Sequence, residues 1–362
     1  MSCFSTSIIN WYSQNKRDLP WRHTRSPYKI WVSEIMLQQT RVDQGIGYYN
    51  RFIAAFPTVH DLANAPLDDI LKLWQGLGYY SRARNMHVTA KCIVKEYDGN
   101  FPTAYSGLIK LKGIGDYTAS AIAAFAFKVP IAAVDGNVYR IFSRYYGIFT
   151  PIDTTQGKKE LNAIAQEMVD KLQPDIYNQA IMDFGALMCS PKKPRCYDCP
   201  LMESCYAFRN GCVDQLPAKS KKITQRIRYF SYIMIKQGKF TYVHKRQGKD
   251  IWHSLYDFPM VETVKEMEPE AIVKSKEWKI LFGRARVNIL HISDLTKYPL
   301  SHQLLMTRFY IVELPSSTYL PQGDFIKIKI ADLDQYSTPI LIDSYMAAEP
   351  TKKYFRGKQA DK

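Results

Sequence analysis

The stretch "LMCSPKKPRCYDCPLMESC", Leu187 to Cys205, places Cys189, Cys196, Cys199 and Cys205 in the pattern C-x6-C-x2-C-x5-C, four of the seven cysteines in the chain. Four thiolates within reach of one another hold zinc or an iron–sulfur cluster, since both prefer soft sulfur ligands. Zinc ribbons pair two CxxC loops, and only Cys196 and Cys199 form one here, so the spacing favours an iron–sulfur loop, with zinc as the alternative. Lys192, Lys193 and Arg195, displayed between the first two cysteines, could press cations against phosphates. Cys3, Cys92 and Cys212 stand outside the pattern and read as ordinary thiols. Upstream, "LKGIGDYTASAIAAFAF" sets Gly113 and Gly115 just before a helix, where backbone N–H groups can face an anion unobstructed. Glu34 lies in a helical run among Ile30, Trp31, Ile35 and Val42, with Gln38 and Arg41 four and seven residues on. Half-burial there would raise the carboxyl's pKa, as a general acid requires; otherwise Glu34 is a solvated helix residue. Asp135, in "AVDGNVYRI", stands where a helix N-cap would.

The elements that must position these groups fall into two regions. The 362 residues are enough for two domains, and Lys plus Arg exceed Asp plus Glu by fifteen, which favours a polyanionic partner or simply a soluble surface. From residue 1 to 212 apolar residues recur at three and four, as in "YNQAIMDFGALMC", and helices are expected. From Gln225 onward short β-branched and aromatic runs, "RIRYFSYIMIKQGKFTYVHKR" and "MTRFYIVEL", read as strands with a turn at Gln237 and Gly238. Residues 213–224, polar and basic with one proline, read as a linker, and residues 351–362 as a disordered basic tail. The start of the chain lacks a basic segment followed by a long apolar core, and no later segment offers 18 apolar residues in a row. A cytoplasmic, nucleoid-associated monomer of bacterial type, with no membrane partner, is expected.

A hairpin of the form LxGxGxYTA, then VDGNVYR, then the four-cysteine loop resembles the endonuclease III superfamily of DNA glycosylases. Within it, "WVSEIMLQQTRV" and "GLGYYSRARN" look like the adenine DNA glycosylases of the MutY type. The resemblance runs from about Trp11 to Cys205 and continues more weakly beyond. It implies a multi-domain α plus α/β protein. An all-helical helix-hairpin-helix region, with the hairpin at about 108–127 and a [4Fe–4S] loop at 189–205, would precede a Nudix-like α/β domain over 225–350.

Cutting an N-glycosidic bond requires a proton for the departing base and negative charge to meet the cationic sugar. The resemblance makes Glu34 the acid, and makes Asp135 the carboxylate that stabilises the sugar or bonds to it transiently. Strand-cutting relatives carry a nucleophilic lysine two residues past the second hairpin glycine, where this chain has Tyr117; a monofunctional hydrolase is implied. Gly113 and Gly115 would cradle phosphate, and Lys112, where the family often has proline, would point to phosphate as well.

A base inside a duplex must be flipped out and the gap behind it filled. Gln38, Gln39, Tyr79 and Tyr80 offer side chains that can fill it; by resemblance Gln39 and Tyr79 probe the stack beside the opposite base, while Trp21, Arg22 and Gln179 line the adenine pocket. "IWHSLYDFP" and "YPLSHQLL" resemble the Nudix-like domain that reads 8-oxoguanine, with Ser301 and His302 in the reader loop; read alone, these two make a surface turn after Pro299. The magnesium-binding glutamate run of a true Nudix hydrolase is missing between Gln225 and Lys362, which implies recognition without hydrolysis. Two departures from the family pattern stand out: Leu300 replaces a common Phe, and Ser254 a common Gly. The expected partner is duplex DNA holding adenine opposite 8-oxoguanine or G. A thymine glycosylase on the same scaffold and a non-catalytic damaged-DNA binder are the rivals.

Overall fold

Apolar spacing of three and four carries the first part of the chain through α1 (Cys3–Asn15), α2 (Pro27–Leu37), α3 (Val42–Ala55), α4 (Val59–Asn64), α5 (Leu67–Trp74) and α6 (Ser81–Tyr97). Then follow α7 (Tyr105–Leu108), α8 (Asp116–Phe127), α9 (Gly136–Tyr146), α10 (Thr155–Met168), α11 (Pro174–Leu187) and α12 (Tyr206–Arg209). The computed structural model describes residues 3–220, 225–316 and 324–356. Two compact units emerge, one from the described residues of 1–65 and 84–222, the other from Pro66–Ala83 and the described residues from 225 on.

In the first unit α2 packs on α8 and α3, and α11 packs on α1, α8 and α9. The core between α1, α9, α10 and α11 is filled by Phe4, Ile8, Phe142, Leu161, Tyr177, Ile181 and Phe184. The caps follow local chemistry. Ser26 accepts from the Lys29 N–H with Pro27 at the first helical position, and Thr154 does the same for α10. Gly185 on α11 lies so close to α9 that a Cβ there would stand 2.5 Å from Asn137 Cβ, so glycine is what lets these helices meet.

The second unit holds β1 (Arg226–Lys236), β2 (Phe240–Lys245), β3 (Tyr256–Asp257), β4 (Met260–Thr263), α13 (Pro269–Val273), α14 (Lys276–Phe282), β5 (Asn288–Ile292), β6 (Thr296–Pro299), β7 (Gln303–Glu313), β8 (Phe325–Lys329) and α15 (Ile340–Met346). One sheet runs β4-β1-β7-β5, with β6 also paired to β7; the other runs β3-β2-β8. Strands β1 and β7 are parallel from Arg226 opposite Gln303 to Lys236 opposite Glu313, and both faces are buried. Phe230, Tyr232, Met234, Phe309 and Ile311 face one core, while Ile233, Ile235, Tyr310 and Val312 face the other. This explains why "YIMI", Tyr232 to Ile235, is apolar without alternation.

Three limits differ from the sequence reading. Pro66–Ala83 belongs with the second unit, not with the contiguous helical domain of 1–212. Residues 213–220 of the expected linker pack on the first unit: Leu216 is buried, the Ile152 N–H donates to the Ala218 carbonyl and Ser220 bonds Asp153. Residues 221–224 lie outside the described residues. The expected tail begins as a π-helical turn, Thr351–Arg356, because Phe355 is drawn fully into the core against Phe258; residues 357–362 lie outside the described residues. No helix among the described residues is long and apolar enough to cross a membrane.

Candidate active site

A cavity of about 430 Å³ in the first unit is lined by Trp21, Arg22, Glu34, Gln38, Gln39, Tyr117, Asp135 and Gln179, all expected from the sequence, and by Arg17, Asn137 and Met182, which were not. Glu34 sits on the inner face of α2 and is only 7% exposed, deeper than half-buried. The Tyr117 hydroxyl, from the first turn of α8, donates to Glu34 Oε2 at 2.6 Å. Burial pushes the Glu34 carboxyl up to about 7; the charge of Asp135 adds to this, while the Tyr117 hydrogen bond and the Arg22 charge oppose it. Burial and the two carboxylates hold Tyr117 well above the usual phenol range, so it stays protonated and donates.

Asp135 is the N-cap of α9, as its position suggested. Its Oδ1 accepts from the N–H groups of Asn137 (2.9 Å) and Val138 (3.0 Å), and its Oδ2 from the Asn137 side chain at 2.7 Å. Burial raises its pKa, and these hydrogen bonds work against the rise. The N-cap role and a place in the cavity coincide in one residue. Gly185, by admitting Asn137, keeps the side-chain donor on Asp135.

A charged lock lies behind the cavity wall. Asp183 on α11, fully buried, receives a bidentate pair from Arg22, Nη1 to Oδ2 and Nη2 to Oδ1, each at 2.7 Å. It also accepts from Arg17 Nε at 2.8 Å and from the Arg17 N–H at 3.1 Å. Burial alone would raise the Asp183 carboxyl, but Arg22 and Arg17 together hold it below the usual range. Arg22 therefore anchors the 17–22 segment as well as lining the pocket. Its guanidinium lies over the Tyr12 ring, whose hydroxyl donates to Gln179 Oε1 at 2.8 Å. Trp21 is buried edge-on against Tyr49. Gln38 Nε2 donates to the Thr118 hydroxyl at 3.2 Å, and Gln39 follows with φ 61°, a left-handed conformation that a non-glycine side chain seldom adopts.

In the hairpin, Gly113 has φ 80° and a Cβ there would meet Asn85 at 2.7 Å, so only glycine fits. Gly115 is the N-cap of α8 at φ −91°, with open space where a Cβ would go, and the start of the helix is left uncovered. Lys112, Lys192 and Lys193 are exposed.

The four cysteines of the loop are each half-buried, and burial raises the thiols of Cys196, Cys199 and Cys205, that of Cys199 to about 12. The charges of Cys189 and Cys205 add to the rise at both Cys196 and Cys199, so the four thiols lie within electrostatic reach of one another. Arg144 Nη1 stands 3.4 Å from Cys189 Sγ. Among the described residues no three His, Cys, Asp or Glu side chains stand together in an arrangement that holds a metal ion. Four thiols are the donor type of a soft metal centre, and their charges reach one another without the side chains standing in a ligating arrangement. Cys212, outside the pattern, is buried with Ala207 and Leu216.

The residues expected to read the opposite base lie in the second unit. Ser301 and His302 occupy the exposed loop between β6 and β7, and the Ser301 hydroxyl hydrogen-bonds the Tyr79 hydroxyl. Tyr79 has φ 47° and its side chain is exposed. Ser254 has φ 68°: the backbone there asks for glycine and the serine is strained. Leu300 packs against the β1–β7 core, as an apolar residue should at that place.

Residues 32–171 match the HhH-GPD superfamily of base excision DNA repair proteins. The adenine DNA glycosylase of Buchnera aphidicola subsp. Schizaphis graminum is 40% identical over 276 residues, 76% of this chain and 77% of that protein. The human adenine DNA glycosylase is 41% identical over 227 residues, 60% of this chain and 42% of its own length. A thermostable thymine-DNA glycosylase superposes with TM-score 0.54 at 30% identity, covering 57% of this chain and 95% of the other. Endonuclease III, trapped as a covalent DNA intermediate, shares the fold at TM-score 0.50 and 24% identity, over 57% of this chain and 94% of its own.

Proposed function

The chain belongs to the adenine DNA glycosylase family, enzymes of base excision repair within the HhH-GPD superfamily, and from that premise we propose that it hydrolyses adenine from A opposite 8-oxoguanine or G, without cutting the strand. The observation that carries this reading is Glu34: a carboxyl held near pKa 7, hydrogen-bonded by Tyr117 and sharing one cavity with Asp135.

Glu34, protonated near neutral pH, gives its proton to a nitrogen of the flipped adenine. The bond from the sugar C1′ to the base then breaks, and its electron pair leaves with the base. Asp135, ionised, faces the cationic sugar or bonds to it for a moment. Water adds to C1′ and returns a proton to Glu34. Tyr117 occupies the position where strand-cutting relatives have lysine, and a phenol held neutral forms no Schiff base.

Gly113, Gly115, Lys112, Lys192 and Lys193 take phosphates, and Gln38 and Gln39 probe the stack. Trp21, Arg22 and Gln179 line the base pocket. Tyr79, Ser301 and His302 read the opposite base on a Nudix-like second unit that lacks the magnesium box. Cys189, Cys196, Cys199 and Cys205 would hold a [4Fe–4S] cluster, which when bound would secure the loop carrying Lys192 and Lys193.

Single-turnover assays on duplexes with A opposite 8-oxoguanine, A opposite G, T opposite G and A opposite T, with and without alkali, test the proposal. Adenine loss chiefly opposite 8-oxoguanine, with breaks only after alkali, is expected. Thymine loss would move the chain toward the thymine glycosylase it resembles in structure, and breaks without alkali would end the hydrolytic reading.

A further inference from the structure

Within the second unit, α5 is tied to its neighbours by contacts that touch no base-reading residue. Lys245 Nζ on β2 meets Asp68 Oδ1 at 2.5 Å, the Tyr256 hydroxyl on β3 donates to Asp68 Oδ2 at 3.1 Å, and the Ser337 hydroxyl donates to the Asp68 carbonyl at 3.2 Å. One helical length on, Gln75 Nε2 bonds the Thr338 carbonyl (3.1 Å) and hydroxyl (3.2 Å) and the Asp343 carboxylate. Lys72 Nζ adds a bond to the Tyr336 carbonyl at 3.4 Å. These groups clamp both ends of α5 to the strands and to the loop before α15.

From α5 the chain turns sharply through Gly76 (φ 97°) and Gly78 (φ 71°) to Tyr79. Arg82 fixes this turn, donating to the Leu77 and Gly78 carbonyls at 3.1 Å each while lying over the Trp74 and Tyr79 rings. The Tyr79 hydroxyl then meets Ser301. A shift of α5 along the strands would thus be passed through a stiff turn to the Tyr79 ring.

We infer that Asp68 and Gln75 are positioning residues for opposite-base recognition: they hold α5 in register on the second unit, so that Tyr79 and the Ser301–His302 loop present one preformed reading surface. This inference rests on the assignment of Tyr79, Ser301 and His302 as readers of the opposite base. Preforming the surface removes the ordering cost from binding and favours the base that fits it. The excision chemistry, which lies in the first unit, does not depend on the clamp.

The full-length protein is tested by measuring Kd for non-cleavable duplexes with 8-oxoguanine or G opposite the target, together with single-turnover release of adenine from A opposite G at saturating enzyme. The Asp68–Lys245 pair is partly exposed, so Asp68→Ala should lower the 8-oxoguanine-to-G binding ratio by only about threefold, and Asp68→Ala with Gln75→Ala by about tenfold. Release from A opposite G should stay within about twofold of wild type. The charge swap, Asp68→Lys with Lys245→Asp, should restore most of the ratio. In a Tyr79→Ala background, Asp68→Ala should cost nothing further, because its effect passes through Tyr79. An unchanged ratio in the double variant, an equal fall in binding ratio and release rate, or full additivity with Tyr79→Ala would each overturn the clamp. A wild type with no preference for 8-oxoguanine would instead overturn the reading on which the inference stands, and that failure appears before any variant is made.

Discussion

Replacing Glu34 by Gln should abolish base release and, above neutral pH, make the protein more stable. The carboxyl rises from 4.5 to about 7 on folding, chiefly through burial. Between those values the folded state binds more protons than the unfolded chain, so stability falls as pH rises, and the loss is complete above about 7. At about 1.4 kcal/mol per pH unit, the wild type gives up about 3 kcal/mol between pH 4 and pH 8 by ionising a buried carboxyl. Glutamine has no proton to lose, and its amide oxygen can still accept from Tyr117. Urea unfolding of the full chain at pH 5 and pH 8 reads the effect. The stability difference between Glu34→Gln and wild type should shift in favour of the variant by about 2–3 kcal/mol from pH 5 to pH 8. A difference that is the same at both pH values would refute the raised carboxyl, and an active variant would refute Glu34 as the acid.

Asp183→Ala leaves the half-buried Arg17 and Arg22 without their counter-charge, and should destabilise the protein by about 2–3 kcal/mol, measured by urea unfolding. Ser254→Gly relieves a left-handed serine at a small entropic cost and should stabilise by up to about 1 kcal/mol; a loss of stability would show that Ser254 is not strained. Lys192→Ala with Lys193→Ala should weaken duplex binding and make the slope of log K against log salt shallower by about 1.8, which titrations at several salt concentrations would show.

Local chemistry made much of the site legible. Asp135 could be read as a cap, Gly113 and Gly115 as small residues that open a helix start to an anion, and Glu34 as a helix carboxyl among apolar neighbours, because each depends on residues a few positions away. The depth of Glu34 was not readable, since it comes from α8 packing across α2. Asp183 went unnoticed for a similar reason: its partners Arg17 and Arg22 are more than 160 residues distant and no periodicity links them. The association of Pro66–Ala83 with the strands is likewise carried by single polar contacts with Lys245, Tyr256 and Thr338, which leave no mark on an amphipathic helix. Phe355 was lost in a basic run whose charge suggested disorder, although one buried ring is enough to fold the turn that carries it.

The central claim is that a carboxylic acid, still protonated near neutral pH, drives adenine departure. Single-turnover release of adenine from A opposite 8-oxoguanine, measured from pH 5.5 to pH 9 with enzyme in excess, tests it most directly. The rate constant should fall above about pH 7, approaching tenfold per pH unit as Glu34 loses its proton. A rate that holds steady or climbs between pH 7 and pH 9 would contradict it.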